Sequence, residues 1–185
     1  MEVRRREDDH IVARTRAWIQ SFIVGLDICP FASSVLDNIL YDVLHEVDPM
    51  PMINQIVEMA TMIHQPGTIK TAFLITPDID MSFSDFYALS QILQDAVNHR
   101  YPEQYVLIAF HPDFRYEGTE IDHTSNAVNR SPFPMIHVLS SQSLNDVTTD
   151  KDMGAAIAHA NQVKLASMDW SVLHEKYGVP LNQER

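Results

Sequence analysis

Cysteine is all but absent. Cys29 stands alone in 185 residues, which rules out an internal disulfide framework and leads us to expect a reducing compartment. Positive charge is also scarce, with 13 Lys and Arg against 25 Asp and Glu and a formal net charge of -12. Binding held by phosphates needs a basic surface, so neither nucleic acid nor an anionic membrane is expected as a partner. The single basic cluster, Arg4-Arg5-Arg6, is followed at once by Glu7-Asp8-Asp9, and residues 1–7 read as a solvated, flexible tail. None of the five glycines builds a phosphate loop, a nucleophile elbow or a dinucleotide fingerprint, so no nucleotide cofactor is expected. Long apolar runs are missing too. The stretch from Trp18 to Leu26 is broken by Gln20 and Ser21 and falls far short of the about 20 residues of a membrane span. No secretory pattern is visible, and the expected location is the cytoplasm.

What is present is a globular composition, 45% hydrophobic and 21% charged, which fits one domain over residues 1–185. Asp8 or Asp9 is placed to cap a first helix in which Ile11, Thr15, Trp18, Phe22 and Leu26 form the apolar stripe; Gly25 and Pro30 end it. Residues 38–47 read as a strand interrupted by Asp42 and His45. Asp48-Pro49 opens a second helix with a stripe of Ile53, Ile56, Val57, Ala60 and Ile63, which Pro66-Gly67 stops. Residues 70–76 form a compact apolar strand. Ser82 with Asp85 resembles a capping box ahead of Phe86, Leu89, Leu93 and Val97. Residues 105–110 and 135–139 are further strands, and 152–177 is helical in two pieces with Gly178 as terminator. The expected fold class is α/β, a mixed four-stranded sheet with helices on its faces. Three strands joined through helices should be parallel, and the fourth antiparallel beside the third.

Open α/β sheets bind ligands at the carboxyl ends of parallel strands. Those ends carry Glu46 and Asp48, Thr76 and Asp78, and His111 and Asp113. The long segment from Pro112 to Pro134 adds Arg115, Glu117, Asp122, His123, Asn126, Asn129, Arg130 and Ser131, while Phe114, Tyr116 and Phe133 suggest a packed loop. Three signatures fall on these stretches. They are Gly25-Leu26-Asp27-Ile28-Cys29-Pro30-Phe31-Ala32, Ala109-Phe110-His111-Pro112-Asp113-Phe114-Arg115-Tyr116-Glu117-Gly118, and Asn129-Arg130-Ser131-Pro132-Phe133-Pro134-Met135-Ile136-His137. Together, in this order and spacing, the chain resembles a bacterial family catalogued as domain of unknown function 1415, over nearly its whole length. The family pattern has an Arg-Glu pair after the last strand, where this chain has Ser140-Ser141. The resemblance implies no activity.

The residues themselves suggest several roles. Cys29 is either a nucleophile, if a base or positive neighbour lowers its pKa, or a small buried hydrophobe. His111 is the base that such a cysteine needs, or a structural histidine that ties down the loop. Cys29, His111, His137 and Asp122 are chemically a zinc set, although no paired ligand spacing is present. Arg130 suits a carboxylate or phosphate by its fork, with Asn129 and Ser131 as polar orienters, or else bridges the loop internally. The methionines at 50, 52, 59, 62 and 81 fill core or form a partner surface. The leading expectation is a small enzyme, a hydrolase or acyl transferase, acting on an anionic small molecule. A sensor of a metal or small anion is the first alternative. The second is a docking protein with an exposed patch along Ile53, Ile56 and Met59. The oligomeric state is left open.

Overall fold

The structure, a computed structural model, describes residues 2–46, 48–142 and 153–181. Helix α1 spans Glu2–Trp18 and runs on through a π-helical turn, Ile19–Val24. A short helix α2 (Ala32–Val35) and a 3-10 turn (Leu36–Asn38) lead into strand β1, Ile39–Val43. Helix α3 (Pro49–His64), strand β2 (Thr71–Ile75), helix α4 (Phe83–Arg100) and strand β3 (Tyr105–Phe110) follow. After the long loop comes strand β4 (Met135–Ser140), then helices α5 (Met153–Ala166) and α6 (Trp170–Tyr177). Val47 and Asp152, two of the expected element ends, lie outside the described residues.

The elements start and stop where local chemistry directs. The Asp48 side chain accepts from the Met50 N–H ahead of Pro49, and Ser82 accepts from Asp85 N–H at the head of α4. Gly178 closes α6 at φ +69°, a left-handed conformation, with Gly178 N–H bonded to His174 O and Val179 N–H to Leu173 O. The amino end differs from expectation. Helix α1 begins at Glu2, so the described part of the supposed tail forms its exposed first turns, and Asp8 sits inside the helix rather than capping it.

The sheet order is β1-β2-β4-β3. The mixed four-stranded α/β sheet is present and β4 is antiparallel beside β3 as expected, but the expectation of three strands paired in parallel needs correction. Only β1 and β2 pair in parallel; β4 lies between β2 and β3 and is antiparallel to both. Burial explains the insertion. β4 is apolar on both faces, with Met135, Ile136 and Val138 all fully buried, whereas Val106 of β3 is exposed. The strand richest in two-sided apolar surface takes an interior position, and β3 takes the edge.

Each face of the sheet has its own core. Phe73, Ile75, Phe110 and Met135 pack with Trp18, Phe22, Leu165 and Leu173. Ala72, Leu74, Ala109, Ile136 and Val138 pack against Met52, Ile56 and Met59 of α3 and Phe86, Leu93 and Val97 of α4. The buried stripe of α3 is thus rotated from the one expected. It uses two methionines as core, and it buries Ile56 and Met59, which the docking alternative needed exposed.

Candidate ligand-binding cleft

The loop between β3 and β4 is packed around two buried side chains. Asn126 has no exposed surface; its Oδ1 accepts from Tyr116 N–H (3.0 Å) and the Thr119 hydroxyl (2.9 Å), and its Nδ2 donates to Glu120 O (2.9 Å). Arg130 is equally buried. Its Nε donates to Phe114 O at 3.1 Å and Nη2 to Ile121 O at 2.8 Å, while the guanidinium lies 4.6 Å over the Trp170 ring. Burial lowers the Arg130 pKa, and nearby Asp113 raises it in part. These bonds turn an irregular loop into a fixed wall, with a 3-10 turn at Thr124–Asn129.

Between that wall and the amino end of α4 lies an open cleft of about 1140 Å³, at the carboxyl ends of β2 and β3. Four aromatic rings line it in sequence of contact. Tyr87 and Phe83 have centroids 6.0 Å apart; Phe83 and Phe114, 4.9 Å at 69°; Phe114 and Tyr116, 5.1 Å at 81°. Asp80, Asp113 and Glu117 supply carboxylates to the same lining, Arg115 a guanidinium, and Ser82, Ser84 and Asn129 neutral polar groups. A smaller cleft of about 440 Å³ shares Tyr116 and Glu117 and continues toward His123 and His159. The loop turns at Gly118, φ +76°, a conformation that glycine adopts without strain.

The expected site residues do not gather there. Asn129 lines the cleft, and its carbonyl also accepts from His111 N–H at 3.1 Å. Ser131 is buried, and its hydroxyl donates to Phe133 O at 2.6 Å. His111 has no exposed surface. Its Nδ1 accepts from Asp113 N–H at 3.1 Å, which puts the neutral ring's proton on Nε2, and Phe86 and Phe83 pack around it at 5.5 and 6.1 Å. Cys29 packs with the core on the opposite face of the sheet from Phe86. Burial is the main influence on its thiol and raises the pKa; backbone N–H groups of Phe31 and Ala32 offset this only partly. Burial thus works against Cys29 as the nucleophile of a Cys29–His111 pair, since it favours the neutral thiol.

The zinc set fares no better. His137 lies flat on Phe73, centroids 4.0 Å apart and 5° between planes, within the strand ladder. Thr71 Oγ1 donates to Val138 O, so it accepts from His137 Nε2–H at 2.7 Å. Desolvation lowers the His137 pKa to about 3, and the half-buried ring is neutral. Asp122 is exposed and contributes its backbone carbonyl to the Trp170 indole N–H. Among the described residues, no three His, Cys, Asp or Glu side chains lie together as a metal site.

Two groups escaped the sequence reading. The cleft's second wall, from Asp80 to Tyr87, was visible only as a helix start, although a capped helix following a strand end was a usable signal. The other is His45, whose Nε2 lies 2.7 Å from Asp8 and Nδ1 2.7 Å from Asp78, a pairing across 37 and 33 residues. Both partners hold the imidazolium, so they raise the His45 pKa.

The first signature is a latch as well. Asn161 Nδ2 donates to Ile28 O at 2.7 Å, and Lys164 Nζ to Leu26 O at 2.6 Å, fixing the Cys29 segment to α5. Ser140-Ser141, where the chain departs from the resembled pattern, falls at the other end of β4 from the cleft, opposite Tyr105. No helix among the described residues is long and apolar enough to cross a membrane.

The fold and the site together define a mixed α/β domain with a ligand-sized cleft at its strand ends. The chain belongs to the family described as Protein of unknown function (DUF1415), whose model matches residues 10–174. Comparison with curated proteins and with solved structures returned no match.

Proposed function

We propose that this protein binds a small organic molecule in the cleft between the amino end of α4 and the 113–121 loop, and acts on it there. The observation that carries the reading is the cleft itself, about 1140 Å³ at the strand ends, walled by a loop held in one shape by Asn126 and Arg130. Loops of this length with so much internal bonding are kept for function more often than for connection. Hydrolysis or acyl transfer is the reaction class that asks least of the chain, since neither needs an organic cofactor. The cleft carboxylates of Asp113 and Glu117 join His111 as candidate bases.

The experiment is a fragment screen by thermal shift and ligand-observed NMR, with Ser84→Trp as a cleft-filling control. Ser84 is exposed, so the variant should unfold at the wild-type temperature without ligand. Hits at a hundredfold excess over Kd should stabilise the wild type by about 2.7 kcal/mol and leave the variant unmoved. Hits that stabilise both proteins equally would place binding elsewhere and sink the proposal. A sensor is the second reading, favoured by the burial that raises the Cys29 pKa and makes the chain's one thiol a poor nucleophile. It predicts that confirmed hits bind without being consumed.

A further inference from the structure

We infer that the cleft selects an organic cation, a small molecule with a quaternary or protonated amine beside an apolar portion. The inference rests on the cleft being the binding site. Three observations lead to it.

The lining rings are the first. Phe83, Phe114 and Tyr116 meet edge to face, and Tyr87, about half exposed, stands at the open end of the series. Tyr87 and the partly exposed Phe83 and Tyr116 offer ring surface to the cleft, and buried Phe114 backs them. Ring faces carry negative potential, so such a lining attracts cations with apolar substituents and discriminates against anions.

The second is charge. Asp80, Asp113 and Glu117 face one guanidinium, that of Arg115. Counted by formal charge, the lining stays negative even with Asp113 set against nearby Arg130. The chain's net charge of -12 adds a field of the same sign. The amino end of α4 works the other way, but a helix end is worth about half a unit of positive charge. It also already holds Asp85 in its first turn, with the Ser82 hydroxyl donating to Asp85 Oδ2 at 2.7 Å.

The third is the fate of the expected anion anchor. Arg130 is fully buried, and two of its nitrogens donate to Phe114 O and Ile121 O. It holds the cleft wall and does not line the cleft. An anionic ligand would meet Arg115 alone, among carboxylates and ring faces.

The test compares three probes of nearly one shape: choline, its uncharged isostere 3,3-dimethylbutan-1-ol, and the anion 3,3-dimethylbutanoate. Each is titrated into isotope-labelled full-length protein, and backbone amide shifts are followed by NMR. Choline should shift the amides of Ser84, Tyr87, Tyr116 and Glu117, bind at least about tenfold more tightly than the alcohol, and weaken as salt is added. Tyr87→Leu and Glu117→Gln, both exposed positions, should each weaken choline about two- to fivefold without altering the spectrum elsewhere. Equal or tighter cleft binding by the alcohol or the carboxylate would overturn the inference while upholding the cleft as a binding site. No shift of cleft amides by millimolar choline would also overturn it, and the separate Ser84→Trp screen then decides whether the cleft binds anything.

Discussion

Replacing His45 by Gln offers the most direct check on the electrostatics of this fold. His45 joins three elements: its Nε2 meets Asp8 of α1 and its Nδ1 meets Asp78 in the turn after β2, both at 2.7 Å. The ring is well enclosed, with 11% of its side chain exposed, but Asp8 is 35% and Asp78 57% exposed, so water screens both pairs. Each bond is then worth about 0.5–1 kcal/mol, and the pair about 1–2 kcal/mol. Because both carboxylates raise the His45 pKa above its ordinary 6.5, the folded state holds the proton more tightly than the unfolded chain. That stability is fully present below pH 6.5 and disappears as pH rises through the higher folded value. Urea unfolding of wild type and His45→Gln between pH 5.5 and 9 should show a gap of about 1–2 kcal/mol at the acid end that closes toward the alkaline end. In thermal terms the gap is about 2–8 °C for a chain of this size. Taking the difference removes the contribution of Asp42, whose carboxyl is raised by burial and by nearby Glu58 and Asp8 in both proteins. Molar salt should narrow the gap at low pH. A gap that is flat across the range, or widest at pH 9, would refute the reasoning, because no neutral histidine contributes in that direction here.

Other consequences follow from the loop and the first turn. Arg130→Met should cost about 2–4 kcal/mol in urea unfolding, since it leaves the Phe114 and Ile121 carbonyls without their donors; Arg130→Lys, with one compact ammonium in place of a fork, should recover only part of that. Asn126→Asp keeps the shape but loses the donor to Glu120 O and buries a charge, and should destabilise by about 2–4 kcal/mol in the same assay. A Cβ at Gly25 would clash with Ser21 O, so Gly25→Ala should displace the π turn and cost about 1–3 kcal/mol by thermal unfolding. Cys29→Ala should leave ligand binding unchanged. Alkylation of the wild-type thiol should be slow at pH 7 and accelerate with pH beyond the range of an exposed cysteine, because burial raises its pKa.

The sequence by itself determined the local elements. The 3.6-residue spacing of Phe86, Leu89, Leu93 and Val97 gave α4 its buried face, Asp48-Pro49 and Ser82 set helix starts, and Gly178 set a helix end, because caps and stripes depend on residues within a turn or two of each other. It also marked the 112–134 loop, through its length and its aromatic and polar content. The three signatures identified the family. What needed the tertiary structure was everything that depends on which strands are neighbours and which face a side chain takes. β4 sits inside the sheet because both its faces are apolar, and that placement made two ladders antiparallel and laid His137 on Phe73. Cys29 and His111 looked like partners as residue types, but burial against the core raises the thiol's pKa and leaves Cys29 a poor nucleophile. Arg130 offered the same fork to a ligand or to carbonyls, and only the path of the loop around it decided for the carbonyls. The His45 bridge spans three elements and has no local pattern at all. Spacing along the chain encodes helix faces and caps; the convergence of residues tens of positions apart is fixed by the packing of whole layers.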